Sequence, residues 1–240
     1  MQQVKKEFIN TIDSITDHRS FDVFRDFVRM ATISLSQPFY KDEYREKEYL
    51  DIIAKYSKRD ADIFPKLLGL TVMALEEKHG DFLGEMFMES AHGSNQMGQF
   101  FTPFDISRMM ARMEVDGIID TLKQKPFVKV LEPSGGSGGM IVALDEALKN
   151  SGIDTSSKMY VHTTDLDPVA ADMCYIHLAL LGIPATVVHG NTLSLKTYRA
   201  LHTPMFFIKR WDLKLDNEQP VNNEIYDMEV KKNFEKGVLF

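Results

Sequence analysis

The chain has 240 residues, 44% hydrophobic and 26% charged, an ordinary balance for a globular protein of one large domain or two modest ones. No run approaches the roughly 20 apolar residues that span a bilayer, and the charged start at Met1 has no apolar segment behind it, so neither a membrane span nor a secretory signal is expected. One cysteine, Cys174, excludes a disulfide framework and a multi-cysteine zinc site and suits a reducing cytoplasm; the net charge of −7 argues against an autonomous, non-specific nucleic-acid binder.

Residues 1–95 predict a helical domain. Phe8, Ile9, Ile12 and Ile15 fall at helical spacing, as do Phe21, Phe24, Phe27, Val28 and Ala31 behind Ser20, a suitable N-cap. Tyr40 to Tyr56 is heavily charged, with Tyr49, Leu50, Ile52 and Ile53 as its apolar side. Asp60 to Lys78 reads as one helix carrying Ile63, Leu67, Leu68, Leu70, Val72, Met73 and Leu75, closed by His79-Gly80. Phe82 to Met88 adds a short helix. These aromatic and methionine stripes are assigned to the core.

Next comes Met97-Gly-Gln-Phe-Phe-Thr-Pro-Phe-Asp105. Thr102 as N-cap, Pro103 at the first helical position and Asp105 at the third make a helix start. A cap does not require Phe100 and Phe101, which suggest a wall against a flat or sulfur-containing ligand.

From Phe127 the period changes. Phe127–Leu131, Met159–Thr164 and Ala185–His189 are short apolar runs separated by helical stretches, the pattern of a parallel sheet built from βαβ units. Each run ends in a polar cluster, at the sheet edge where such folds bind ligands. The first cluster is Glu132-Pro-Ser-Gly-Gly-Ser-Gly-Gly139, neither a phosphate-binding P-loop nor a GxGxxG fingerprint in register. Its glycines permit a sharp turn and close backbone approach. The second, Asp165-Leu-Asp-Pro168, gives ligand work to Asp165, whose carboxylate can accept both hydroxyls of a ribose. Asp167 and Pro168 start the next helix. The third, Gly190-Asn191, offers an amide to an adenine edge, although asparagine is equally a turn residue. Cys174 lies in an apolar run and is assigned to packing.

Taken in order, Gly98-Gln-Phe-Phe-Thr-Pro103, Glu132–Gly139, Asp165–Pro168 and Gly190-Asn-Thr-Leu193 resemble the motif series of the N6-adenine DNA methylases, most of all the modification subunits of type I restriction systems. The resemblance covers roughly residues 1–195. It implies an α/β fold, a partial Rossmann-like S-adenosylmethionine-dependent methyltransferase sheet over residues 96–215, preceded by the helical domain and followed by a polar tail, 216–240. It also implies S-adenosylmethionine as cofactor. Phe100, Phe101, Thr102 and Pro103 would flank its methionine end. Glu132 and the loop Ser134, Gly135, Gly136, Ser137 and Gly138 would hold the amino-acid moiety. Asp165 would take the ribose, Leu166 would pack on the adenine, and Asn191 would face the adenine amino group, where the family usually has aspartate.

The family's catalytic signature, (Asn/Asp)-Pro-Pro-(Tyr/Phe) after the fourth strand, is absent from the sequence, and no catalytic residue is assigned. Its polar group and a proline carbonyl would position the target amino group while its aromatic ring stacks on a flipped base. The nearest tetrad is Thr203-Pro-Met-Phe206, and Met205–Ile208 reads as the fourth strand itself, which would place Thr203 before that strand. Only 32 residues follow Ile208, and Asp212 to Lys236 is mostly polar and charged, which offers little room for further strands or a DNA-reading region. Lys209, Arg210 and Trp211 read either as a nucleic-acid contact or as a surface cation pair beside a packed indole. Three functions follow as alternatives: an adenine-specific DNA methyltransferase completed by a second chain; a cofactor-binding protein without chemistry of its own that regulates or antagonises restriction–modification or serves a mobile element; and a methyltransferase acting on a protein or small molecule. DNA is the expected partner, reached through a partner subunit in a hetero- or homo-oligomer; no membrane and no metal are expected.

Overall fold

A computed structural model describes residues 1–90 and 101–216. The first stretch forms six helices: α1 (Gln2–Asp13), α2 (Ser20–Ser36), α3 (Glu43–Ile53), α4 (Lys58–Ala61), α5 (Ile63–Glu77) and α6 (Phe82–Ser90). The apolar stripes meet as expected except at Leu50 and Met73, which are more than half exposed. Phe8 and Ile12, one turn apart on α1, are fully buried with Phe24, Phe27 and Leu67. Phe8 meets Phe27 and Phe82 edge to face at 5.7 and 5.2 Å. The stretch expected as one helix from Asp60 is two. Ser57 caps α4 through the amide of Asp60 at 3.2 Å, and the chain restarts after Asp62.

The second stretch runs α7 (Phe104–Gln124), β1 (Val128–Glu132), α8 (Gly139–Asn150), α9 (Thr155–Lys158), β2 (Met159–Asp165), α10 (Pro168–Leu180), β3 (Ala185–Asn191), β4 (Lys196–His202), α11 (Pro204–Ile208) and α12 (Trp211–Asp216). The sheet order is β1-β2-β3-β4, with β1, β2 and β3 parallel and β4 antiparallel to β3. The expected βαβ units and strand ends are therefore present in an α/β fold. Alternate residues separate the two faces. Val128, Val130, Met159, Val161, Ala185 and Val187 pack toward α7, α8 and α10, whereas Tyr160 joins Phe127, Phe206 and Trp211 on the other face. Helix α10 is buried all round. Val169, Ala170, Met173 and Ile176 belong to the core of the N-terminal helices, while Ala171, Cys174, Tyr175 and Leu178 belong to the sheet's core. Burial raises the Cys174 thiol pKa and keeps it protonated, consistent with packing.

The fourth strand is a correction. Met205–Ile208 lies in α11, and the strand is the preceding Lys196–His202. Pro204 occupies the first helical turn, a position that suits its fixed φ and missing N–H. Thr203 therefore follows the fourth strand. Because β4 runs antiparallel, however, it ends at the opposite edge from Glu132, Asp165 and Asn191. There the Thr203 hydroxyl donates to Ile183 O at 2.7 Å and accepts from Ala185 N at 2.9 Å, both at the start of β3. The Thr203–Phe206 tetrad closes the base of the sheet. Trp211 is fully buried and donates its indole N–H to Ser156 O at 3.0 Å, so the packed-indole reading holds and its ring is not presented to a base.

A buried ionic junction ties α2, α10 and β4 together. Asp172, 2% exposed, contacts the guanidinium of Arg29 at 3.5 Å and that of Arg199. Arg29 also binds Glu48 at 2.7 Å. Asp172 is the buried member, whereas Arg29, Glu48 and Arg199 keep some access to water, so its removal costs the two hydrogen-bonded contacts and the packing of a buried side chain. Asp172→Ala should therefore destabilise the fold by about 1.5–3 kcal/mol, seen as a lower urea midpoint with an unchanged slope.

Candidate functional site

The polar clusters at the carboxyl ends of β1, β2 and β3 are bonded to one another. After β1 the chain turns at Pro133-Ser134, with Ser134 N donating to Glu132 Oε1 at 3.1 Å. Gly135 N donates to Thr164 O at 2.9 Å and Gly136 N to Asp165 Oδ2 at 2.7 Å, so the end of β2 holds the loop. Thr192, just after β3, donates its hydroxyl to Pro133 O at 2.7 Å. Three segments separated by some 30 residues each thus form one sheet edge.

Two loop positions need glycine. Gly136 has φ +55° and Gly138 φ +93°, backbone that costs a side-chain-bearing residue roughly 1–2 kcal/mol. A Cβ at Gly136 would also lie 3.0 Å from the Phe101 ring, and one at Gly138 3.1 Å from Cys174 Sγ. Phe101 itself leans on Phe87 of α6 at 5.5 Å. The structure therefore sets Phe101 against the glycine loop. Phe100, with Gly98 and Gln99, lies outside the described residues. Thr102 and Pro103 are exposed beside Phe101. The helix starts one residue later than expected: Phe104 is its first residue, Pro103 stands at the cap, and the Pro103 carbonyl accepts from Ser107 N.

Asp167 does the capping work expected of it, and Asp165 ties the glycine loop to the strand end. Asp167 caps α10, its side chain accepting from Val169 N at 2.8 Å, with Pro168 next in the helix. Asp165 is nearly buried; besides Gly136 N it accepts from Asp167 N at 2.9 Å, on the other oxygen. A carboxylate offers about four acceptor sites, so two remain for hydroxyl donors. Leu166, next to it, is 59% exposed, an apolar surface at the strand end. Asn191 uses Oδ1 to accept from Ser194 N at 3.0 Å in the β3–β4 turn; a carbonyl with two lone pairs can still accept one further hydrogen bond beside it.

Ser137 differs in orientation from its neighbours. It is 1% exposed and its hydroxyl donates away from the sheet edge, to Asp81 Oδ2 at 2.6 Å. Its carbonyl faces His177 Nδ1 at 2.8 Å. Neither Asp81 nor His177 was singled out by the sequence. Asp81 was detectable only as a capping carboxylate before Phe82, and His177 only as a polar residue in an apolar helix.

These residues bring two carboxylates, a glycine loop, the Phe101 ring and an exposed leucine to one sheet edge. Among the described residues, no cluster of three or more histidine, cysteine or acidic side chains is placed to hold a metal ion.

The sequence matches the N-6 DNA Methylase family over residues 79–234, more than half of the chain. Among solved structures it is similar to a protein from Listeria monocytogenes assigned to the class I S-adenosylmethionine-dependent methyltransferases, at 14% identity and a TM-score of 0.45. That likeness covers 80% of this chain and 55% of the Listeria protein, so the chain spans little more than half of that protein's length. No curated protein matches the chain. On the family match, the chain belongs to the N-6 DNA methylases.

Proposed function

We propose that this chain binds S-adenosylmethionine at the edge formed by Glu132, the glycine loop, Asp165 and Asn191, and that it serves N6-adenine methylation of DNA in a restriction–modification setting. The observation that carries the reading is the bonding of the Glu132–Gly139 loop to Asp165 on one side and to Thr192 on the other. In this reading Asp165 accepts the ribose hydroxyls through its remaining lone pairs, and Leu166 covers the adenine. The Asn191 amide lies beside the base. Glu132 and the loop from Ser134 to Gly138 take the amino-acid end, Ser137 through its backbone, and Phe101 to Pro103 flank the methionine end. When bound, the cofactor supplies an electrophilic methyl group on a sulfonium.

Transfer of that group needs acceptors for the target amino group, and the Thr203–Phe206 tetrad stands at the wrong edge to supply them. Together with the net charge of −7, this supports a partner subunit that contributes DNA grip and the base pocket. The same observation favours a second reading, a cofactor-binding regulator or anti-restriction protein that performs no methyl transfer.

Isothermal titration should show S-adenosylmethionine and S-adenosylhomocysteine binding, and silence with both would sink the cofactor assignment. Asp165→Ala should weaken binding at least tenfold, the loss of about 1.4 kcal/mol of hydrogen bonding to a charged group. Asp167→Ala should change it less than threefold; equal losses would mean that the ribose ligand is misassigned. Radiolabelled methyl transfer to mixed-sequence duplex DNA, with and without candidate partner subunits, separates the two readings. Label on adenine supports the methyltransferase, and its persistent absence with a partner present leaves the regulator.

A further inference from the structure

We propose that Asp81 and His177 are positioning residues that set the conformation of the glycine-rich loop through Ser137, making the N-terminal helices part of the loop's binding competence. For its effect on ligand affinity the proposal rests on the cofactor reading above; its effect on the loop does not.

Ser137 is the polar residue inside Gly135-Gly-Ser-Gly-Gly139, and both of its outward groups are taken by residues distant in sequence. Asp81, 4% exposed, stands just before α6. One carboxylate oxygen accepts from Gly84 N at 3.0 Å, capping that helix; the other accepts the Ser137 hydroxyl at 2.6 Å. The carboxylate fills a slot between two glycines. A Cβ at Gly84 would lie 2.3 Å from Asp81 Oδ2, and one at Gly139 3.1 Å from it.

His177 reaches Ser137 from α10. It is fully buried, and its two ring nitrogens have different partners. Leu83 N donates to Nε2 at 3.2 Å, so Nε2 carries no proton. Nδ1 must then be the protonated nitrogen and donates to Ser137 O at 2.8 Å. Burial lowers the pKa of this histidine and keeps the ring in this neutral form. The first turn of α6 thus holds the loop twice: through Asp81 to the serine hydroxyl, and through Leu83 and His177 to the serine carbonyl. With both groups of Ser137 fixed, the flanking left-handed glycines have little freedom to rotate, and the loop amides that face Thr164 and Asp165 stay in place.

A purely structural junction between α6 and α10 would use the same contacts, and two conservative variants distinguish it. The amide nitrogen of asparagine lies near the position of Nδ1, so His177→Asn keeps a donor to Ser137 O and loses the acceptor for Leu83 N. Glutamine reaches to Nε2, so His177→Gln keeps the acceptor and loses the donor to the loop. Each variant removes one buried hydrogen bond, so both should lower the melting temperature to a similar extent. Hydrogen–deuterium exchange of the segment 132–139 in the full chain should rise about tenfold or more in His177→Gln and stay within threefold of wild type in His177→Asn. Binding of S-adenosylhomocysteine should follow the same split. Asp81→Asn, which keeps a cap for Gly84 and a polar partner for Ser137, provides a second check and should leave loop exchange near wild type, whereas Asp81→Ala should raise it. Equal loop exchange in the two His177 variants, or in the two Asp81 variants, would overturn the proposal. A wild-type chain that binds no S-adenosylhomocysteine would overturn the cofactor reading alone, because loop exchange needs no ligand.

Discussion

The structure depends on the burial of α10 from every side. A surface helix needs one apolar stripe. This one carries two, because it is the shared wall between the N-terminal helices and the sheet. Its polar side chains therefore cannot turn to water and must find fixed partners. Asp172 finds Arg29 and Arg199, and His177 finds Leu83 and Ser137. Those two solutions anchor β4 and the glycine loop to the same helix. The helical layer and the sheet are consequently not interchangeable modules: their cores meet in one element of 13 residues.

What the sequence made legible follows from how local each signal is. The strand ends were readable because glycine, proline and acidic residues at a strand-to-helix turn have few alternative uses. Asp167-Pro168 announced the start of α10 by capping chemistry that acts over three residues. The fourth strand was missed for the complementary reason. Met205–Ile208 is apolar, and a short apolar run does not tell strand from helix by period. The true strand, Lys-Thr-Tyr-Arg-Ala-Leu-His, is polar and only half-buried along most of its length, because it lies at the end of the sheet. Pro204 held the clue, since a proline at the first turn of a helix is well placed, whereas one at the head of a sheet-end strand carries less information.

The site was legible in its parts but not in its wiring. Glu132, the loop, Asp165 and Asn191 could be named from their positions at strand ends. The side-chain bond from Ser137 to Asp81 spans 56 residues and that from its carbonyl to His177 spans 40, and no periodicity encodes either. Ser137 was accordingly grouped with the ligand-facing residues, although its hydroxyl points into the protein. Asn191 shows the opposite ambiguity: the bond to Ser194 satisfies the turn role, and the second lone pair of the same oxygen is still an acceptor.

The reversal at β4 also determines where the following chain begins its path. The polypeptide leaves the binding edge at Asn191, turns, and descends seven residues to His202, a length of about 23 Å at 3.3 Å per residue. Everything from Thr203 onward starts from the far rim, with α11 and α12 folded beneath the sheet around Trp211. For a later group to face the edge that carries Glu132, Asp165 and Asn191, the chain would have to climb that full height again. Alternatively, such a group would have to belong to another molecule that approaches from above. The hairpin thus turns a question of catalytic chemistry into one of travel distance.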